Sequence, residues 1–291
     1  MNKMKVAKTV STITNPPIIC IPLFLIICLI LSFENGTFNL SKFIGLELIS
    51  LVFASVLPMA IIVFWAKKLN TDSDISNRED RFTPLVVGIV SYFIGFLVSL
   101  ISGIDHFLTA LLLCYSVNTG VVLLITSKWK ISVHTTGLSG PVGALILLLG
   151  PIGALFAILY PVLIWSRVTL KKHTMAQAIA GGVQGFFLTI IEMYLFIHLF
   201  NFNVSGLVPF ADCIWYILAI IFTPIVFGIL SYVNVSRKRM LFICAEIIGL
   251  ILFLLFSPLS VVFIYLAISI TSVLVSIYAG EDYVWFKVLK S

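Results

Sequence analysis

The feature that most constrains this chain is a succession of apolar runs about as long as a bilayer is thick. A helix needs about 20 apolar residues to cross the hydrocarbon core. Eight runs reach or approach that length: 17–33, 43–65, 84–101, 107–126, 176–200, 214–233, 240–256 and 259–278. Their apolar residues occupy all faces, so length and polar flanks predict the helices better than periodicity does. We therefore expect an integral membrane protein with many crossings.

Composition excludes the soluble classes of protein. Of the 291 residues, 60% are hydrophobic and only 10% are charged, whereas a soluble domain is about a quarter charged. We therefore exclude a soluble enzyme, a disordered chain and a nucleic-acid-binding domain. The net charge of +6 is interpreted as loop charge that faces an anionic membrane surface or an anionic substrate.

The stretch 135–165 does not read as a simple crossing, because Gly150-Pro151-Ile152-Gly153 stands at its centre. This sequence breaks helices and forms turns. It predicts two helices over 137–149 and 153–165, each about 20 Å long at 1.5 Å per residue. That length is short of a full crossing, so the hairpin is expected to begin at a polar site below the membrane surface. The predicted fold is an all-α polytopic membrane helix bundle of about ten helical segments, in a single domain over 1–291, with this short helical hairpin in its core.

The basic residues are distributed very unevenly among the predicted loops. With the hairpin counted as two crossings, seventeen of the 18 fall on one side, and only Lys42 falls on the other. The positive-inside rule then predicts that both termini and all the basic loops are cytoplasmic.

Polar residues concentrate in three of these basic loops, within 72–84, 128–137 and 165–177. Two histidines, His134 and His173, lie there beside several Arg and Lys side chains. Arginine binds phosphate oxygens through two parallel hydrogen bonds and stays charged, and histidine can attack phosphorus or donate a proton near neutral pH. The combination predicts phosphoryl chemistry that needs neither a metal ion nor a cofactor.

These residues resemble the signatures of the type-2 phosphatidic-acid phosphatase superfamily, also called lipid phosphate phosphatases. Ser166-Arg167 with His173 matches the third signature, SRxxxxxH, and Ser132 with His134 keeps two residues of the second, PSGH. The first signature, KxxxxxxRP, is represented by Arg78, Arg81 and Pro84 in a different spacing. The resemblance covers about 75–185 and implies a phosphatase-like core over about 75–200, with extra spans over 17–65 and 214–278.

The resemblance also implies a role for each residue. His173 would attack phosphorus and form a phosphohistidine, and His134 would protonate the leaving group. The residues expected to bind the substrate phosphate are Arg167, Arg81, Arg78, Lys130 and Ser132. The family has an aspartate four residues after the nucleophile, where this chain has Gln177. Gln177 is expected to hydrogen-bond the His173 ring, and Ser166 is expected to help orient the site.

The function implied is that of a membrane hydrolase, a lipid phosphatase that acts on a phosphate or diphosphate monoester. The substrate would be an isoprenoid diphosphate or a phosphatidate-like lipid, with its tail between the helices and its headgroup at the basic loops. Membrane lipids are the other expected partners, and nucleic acid is not.

Two other functions stay open. A membrane prenyltransferase would use Asp72, Asp74 and Asp80 to bind Mg²⁺ and a diphosphate, with Glu281 and Asp282 as the second acidic group. A non-catalytic lipid-binding or transport protein that keeps the fold is the other alternative.

Overall fold

The computed structural model describes residues 2–68 and 77–290, and these residues are almost entirely helical. The helices are α1 (Lys3–Ile13), α2 (Pro16–Leu31), α3 (Leu40–Ser50), α4 (Leu57–Lys68), α5 (Phe82–Ser102), α6 (His106–Thr126), α7 (Val133–Leu149), α8 (Pro151–Leu155), α9 (Leu159–Thr169), α10 (Met175–Leu199), α11 (Phe210–Tyr232), α12 (Lys238–Phe256), α13 (Leu259–Ala279) and α14 (Val284–Lys290). The shorter elements are a hairpin of β1 (Phe33–Glu34) and β2 (Thr37–Phe38), a π-helical turn at Leu51–Val56, and 3₁₀ turns at Glu79–Arg81 and Phe156–Ile158.

Eight helical stretches within the described residues are long and apolar enough to cross a membrane. They are Leu40–Lys68, Glu79–Ser102, His106–Thr126, Pro151–Thr169, Met175–Leu199, Phe210–Tyr232, Lys238–Phe256 and Leu259–Ala279. Helix α7 is apolar but shorter, and α1 and α2 form a pair bent by 59°. Each of the ten expected apolar segments lies on helical chain, so the expected all-α polytopic bundle is confirmed.

The central hairpin exists, but its expected length was wrong. The chain turns at Gly150, whose φ of +58° favours glycine, yet α7 begins at Val133 and the second arm continues to Thr169. At the ends of the arms away from the turn, polar residues such as Thr135 and Ser166 are buried and hydrogen-bonded. They therefore extend the helices instead of ending them. Near the turn, the amide of Val208 donates to the carbonyl of Leu147 at 2.9 Å, which places the turn beside the connection from α10 to α11.

Helix α7 lies at the centre of the bundle and packs against α2 and α10. The α7–α10 contact is very close, because a Cβ atom added at Gly181 would lie 2.4 Å from the Thr135 hydroxyl oxygen, and one added at Gly185 would lie 2.1 Å from that of Ser139. Only glycine allows these two backbones to approach so closely.

Helix α1 was not expected from the sequence. It packs along α9, and the Ser166 hydroxyl donates to the backbone oxygen of Ala7 at 2.7 Å. Ser166 therefore fastens α9 to α1, while the orienting role expected for it stays a prediction. The partner of Ser166, Ala7, lies in α1, and the apolar content of α1 is too low for this helix to be recognised by hydropathy.

The order of the helices puts the basic segments together at one end of the bundle, called the basic end below. It contains α1, the residues that precede α7 and α10, and α14. Lys42 lies at the opposite end, where its ammonium group pairs with Glu34 at 3.2 Å and with Asp105 at 3.0 Å. Connectivity thus separates the charges as expected, while the side of the membrane that the basic end faces remains a prediction.

Candidate active site

The first part of the site is the start of α7, at the basic end. Ser132 is the N-cap residue, and its hydroxyl oxygen accepts from the amide of Thr135 at 3.4 Å. The hydroxyls of Thr135 and Thr136 both donate to the backbone oxygen of Ser132. His134 is in the first helical turn and is buried. Ser132 therefore holds the turn that carries the histidine, and its hydroxyl serves as a helix cap.

The second part is the end of α9, which carries Arg167. This side chain is completely buried, and its Nη1 donates to the hydroxyl of Ser11 on α1. The same nitrogen lies 3.5 Å from Nε2 of His134, so the second and third sequence signatures meet in space. The His134 ring also forms a hydrogen bond with the backbone of Ser11. Ser11 is thus a component of the site that sequence reasoning missed, together with the helix that carries it.

The third part is the short connection from α9 to α10, where His173 is buried. Its Nδ1 lies 3.2 Å from the backbone oxygen of Lys130. Its Nε2 is buried and has no hydrogen-bond partner among the described residues. Burial is the main cause that lowers the pKa of His173 to about 3, and the charges of Arg81, Arg167 and Lys130 act in the same direction. The ring is therefore neutral at pH 7.

Arg81 ends the 3₁₀ turn before α5 and completes the cluster. Its side chain is buried, and its Nη1 donates to the backbone oxygen of Ile131 at 3.4 Å. Its positive charge acts on both His134 and His173. Lys130 lies at the edge of the cluster, where its ammonium group donates to the backbone oxygen of Lys172 at 3.0 Å. Two guanidinium groups and two imidazoles therefore form one buried cluster.

The side chains of two other residues expected at the site have their partners outside the cluster. Arg78 is exposed and donates to the backbone oxygen of Lys128 at 3.0 Å, so it belongs to the surface above the cluster. Gln177 does not bond the His173 ring, which corrects the expectation. Its side-chain oxygen accepts from the backbone amide of Thr174 at 3.0 Å, and its backbone amide donates to the Thr174 hydroxyl at 3.3 Å. This reciprocal pair is a capping box that starts α10.

A cleft with a cavity volume of about 120 Å³ adjoins the cluster and extends into the apolar interior. Arg81 and His134 line it, and the rest of its wall comes from α2, α4, α5, α6, α7 and α10. Apolar wall residues include Pro58, Leu85 and Val122. The cleft is thus charged where it meets the cluster and mainly apolar farther in, which suits an amphipathic molecule with an anionic head.

A buried polar network lies along one side of this cleft. The Asn118 amide donates to Glu192 at 3.0 Å and to the Thr189 hydroxyl at 3.3 Å, and its oxygen accepts from Gln184 at 2.8 Å. The Thr136 hydroxyl donates to Gln184 at 3.1 Å. In the sequence, Glu192 is an isolated acidic residue within an apolar run. In the structure, it belongs to a chain of hydrogen bonds that ends at Thr136, two residues from His134.

The acidic residues of the prenyltransferase alternative are only partly described. Asp72 and Asp74 lie outside the described residues. Asp80 accepts from the Asn77 amide at 3.1 Å, and Glu281 pairs with Lys290. Within the described residues, no group of three or more His, Cys, Asp or Glu side chains is arranged to bind a metal ion.

Comparison of this chain with protein-family models, with curated protein sequences and with solved structures finds no match.

Proposed function

We propose that this protein is an integral membrane lipid phosphatase that resembles the type-2 phosphatidic-acid phosphatase superfamily. The observation that carries the proposal is the convergence of Arg81, His134, Arg167 and His173 in one buried cluster. Arg81 and His173 are 92 residues apart in the chain, and the four side chains come from the 3₁₀ turn before α5, the start of α7, the end of α9 and the connection from α9 to α10. Two guanidinium groups facing two histidines form a site for a phosphate.

The chemistry follows from the hydrogen bond of each ring. A backbone oxygen can only accept, so Nδ1 of His173 carries the proton and Nε2 carries the lone pair. In the proposed reaction, Nε2 forms a bond to phosphorus while the bond from phosphorus to the ester oxygen breaks. His134 delivers a proton to the leaving oxygen, which departs as the lipid alcohol from a monophosphate ester or as the lipid monophosphate when the terminal phosphorus of a diphosphate is attacked. Water then attacks the phosphohistidine while His134 accepts a proton from it; the bond from phosphorus to Nε2 breaks, phosphate leaves and the lone pair is restored.

The arginines would make this sequence possible. Arg81 and Arg167 repel a proton from either histidine as long as their charges are not compensated. A phosphate dianion between them reverses that balance, because it accepts hydrogen bonds from both guanidinium groups and its negative charge favours a protonated His134. Substrate binding itself would thus prepare the proton donor, and the reaction would require no metal ion.

The cleft supports a lipid substrate. Arg81 and His134 line its polar end, and its inner wall is mainly apolar, so a headgroup at the cluster leaves the hydrocarbon tail between the helices. Isoprenoid diphosphates and phosphatidate-like lipids both meet this description. The charge asymmetry supports a cytoplasmic position for the basic end. A cysteine at Ser127 should be labelled by a membrane-impermeant thiol reagent only after the membrane is opened, and labelling of intact cells would reverse the proposed topology.

The decisive experiment measures phosphate release by the purified protein in detergent with EDTA present. Farnesyl diphosphate and phosphatidate are the substrates, and His173→Ala is compared with His198→Ala, a matched change of an exposed histidine at the far end of α10. The wild type and His198→Ala should release phosphate, while His173→Ala should lose on the order of 10⁴-fold or more. Release that survives in His173→Ala would exclude the phosphohistidine. No release by the wild type would favour the lipid-binding function or, if Mg²⁺ restores turnover, the prenyltransferase.

A further inference from the structure

A polar side chain in the wall of the cleft has no partner and no part in the proposed phosphate cluster. Asn15 lines the cleft, and this residue is only 6% exposed. Its side chain forms no hydrogen bond with any of the described residues. A carboxamide buried in this way costs free energy, because it gives up hydrogen bonds to water and gains none in return. Such a side chain calls for a ligand.

The local sequence explains why this asparagine is free. Asn15 is the N-cap residue of α2, a position at which an asparagine side chain normally accepts from an amide of the first turn. The first two residues of α2 are Pro16 and Pro17, which have no amide hydrogen. The next amide, that of Ile18, donates to the backbone oxygen of Asn15 at 2.8 Å. The start of α2 is therefore formed without the Asn15 side chain.

Contacts on both sides of Asn15 fix its position. Ser11, four residues earlier, hydrogen-bonds the ring of His134 through its backbone. Pro16, the next residue, packs so closely on α7 that a Cβ atom added at Gly137 would lie 2.6 Å from the Pro16 Cβ. Gly137 is three residues after His134 and thus on the same face of α7. Asn15 therefore lies near His134, where the cleft begins at the cluster.

Other polar residues of the cleft wall already have partners within the protein. The Thr119 hydroxyl donates to the backbone oxygen of Tyr115 at 2.7 Å. The Thr136 hydroxyl donates to the backbone oxygen of Gly181 at 3.0 Å. The Asn15 carboxamide differs from these hydroxyls, because both its donors and its acceptor are available to a molecule in the cleft.

The direction of the cleft determines which part of a substrate Asn15 would meet. In the proposed phosphatase, the reacting phosphate lies between Arg81 and Arg167 and the tail lies in the apolar interior, so the leaving group passes Asn15. We propose that the Asn15 carboxamide binds this leaving group, with its NH₂ group donating to an acceptor oxygen a few bonds from the phosphorus that is attacked. This inference rests on the proposed function and adds a specificity site to it.

Two classes of lipid carry such an acceptor oxygen. In a lipid diphosphate it belongs to the inner phosphate, and in a phosphatidate-like lipid it belongs to an ester carbonyl. The monophosphate of a simple lipid alcohol has neither group. Asn15 should therefore favour the first two classes over a monophosphate with a comparable tail, because the unpartnered carboxamide gains a hydrogen bond only with them.

The test compares paired substrates with the purified full-length protein in detergent. Farnesyl diphosphate is paired with farnesyl phosphate, and phosphatidate is paired with hexadecyl phosphate. Asn15→Ala should lower kcat/KM about tenfold or more for the diphosphate, for phosphatidate or for both, and should change it little for the two simple monophosphates. A loss with the diphosphate identifies the inner phosphate as the acceptor, and a loss with phosphatidate identifies an ester carbonyl.

Two further variants separate this role from a structural one. Asn15→Asp keeps the size of the side chain but loses the NH₂ donors and adds a negative charge, so its loss with the diphosphate should exceed that of Asn15→Ala. Thr119→Ala removes a hydroxyl that is already bonded within α6, so it should affect both members of each pair alike. The melting temperature of Asn15→Ala should stay at the wild-type value, since α2 begins without this side chain.

Equal losses within each pair, or no loss with any substrate, would overturn the proposal. Binding to His173→Ala distinguishes that result from a failure of the proposed function. If the wild type releases no phosphate, addition of Asn15→Ala to this variant should still lower its affinity for farnesyl diphosphate or phosphatidate about tenfold and leave that for the simple monophosphates unchanged. Unchanged affinity for all four lipids would overturn the specificity site as well.

Discussion

Nδ1 of His173 lies 3.2 Å from the backbone oxygen of Lys130, and this contact determines which ring nitrogen keeps its lone pair. The carbonyl holds the proton on Nδ1 and leaves the lone pair on Nε2. In the family that the sequence resembles, an aspartate is expected to orient this ring, but Gln177 points to Thr174 instead. The orienting group in this protein is thus a backbone atom, which no side-chain motif can reveal.

The first prediction concerns pH. Burial and neighbouring positive charges lower the pKa of His173 to about 3, well below the value near 6.5 of an unfolded chain. The unfolded state therefore binds more protons below about pH 6.5, so the stabilising effect of the neutral ring is complete above that pH and is lost as the pH falls toward 3. The melting temperature of the wild type should fall more steeply between pH 6.5 and 4 than that of His173→Gln. Parallel curves would show that His173 is not held neutral.

The same shift predicts the activity profile. Because His173 keeps its lone pair throughout the neutral range, kcat/KM should show no acid limb near pH 6.5 that belongs to the nucleophile. Initial rates at low substrate concentration, measured from pH 8 down to 4.5, would check this. A limb near 6.5 that remains after correction for substrate ionisation would assign an ordinary pKa to the reacting histidine.

The second prediction separates charge from geometry at Arg167. Lysine keeps the positive charge but lacks the planar fork that reaches phosphate, Ser11 and His134 together. Arg167→Lys should lower kcat/KM on the order of 10²-fold. Arg78→Lys, the same change at an exposed arginine, should alter kcat/KM little. Equal losses in the two variants would place Arg78 in the site and contradict the geometry described above.

The third prediction tests the role of Gln177. As a capping-box residue, it should affect the stability of α10 more than catalysis. Gln177→Ala should cost roughly 1 kcal/mol of unfolding free energy, and Gln177→Glu, which can form the same reciprocal bond, should cost little. Both should keep kcat/KM within a few-fold of the wild type. A large loss of activity without a loss of stability would show that the side chain acts on His173.

The fourth prediction concerns the contact between α7 and α10. A Cβ atom at Gly185 would lie 2.1 Å from the Ser139 hydroxyl oxygen, so Gly185→Ala must separate the two helices that carry the site. It should destabilise the protein by about 1–3 kcal/mol and reduce activity. Gly120→Ala on α6 is the control, since a Cβ there meets nothing within 4 Å, and it should be neutral or slightly stabilising. Thermal unfolding in detergent would compare them.

The fifth prediction tests the cleft as the site of the lipid tail. Gly88 lines it, and a Cβ there makes only ordinary contacts, the closest at 3.6 Å to the Tyr92 ring. Gly88→Phe should therefore fold and fill part of the cleft. KM for a long-chain lipid phosphate should rise about tenfold or more, while turnover of p-nitrophenyl phosphate should stay nearly unchanged. Equal effects on both substrates would place the tail elsewhere.

The candidate site was predictable only in part. Arg167, His134, His173 and Arg81 stand out because charged and titratable residues are rare in so apolar a chain, and the structure brings all four together. Arg78 and Gln177 carried similar weight in the sequence but point elsewhere. Residue type and spacing show where a charge sits along a helix, whereas the direction of its side chain depends on which buried partners compete for it, such as Thr174 for Gln177.

By itself, the sequence determined the class of the protein and the positions of its long apolar helices. Bilayer thickness sets the length of each apolar run, and Gly150-Pro151 breaks the central one, so both signals are local and readable. Tertiary structure decided the length of the hairpin arms, the packing of α1 over the site and the Lys130 contact that orients His173. Those features depend on backbone groups and weakly polar side chains such as Ser11 and Ser166, whose hydrogen-bond partners are far away in the chain. Nothing in residue order marks such pairs, because they form only when the packed helices bring them within about 3 Å of each other.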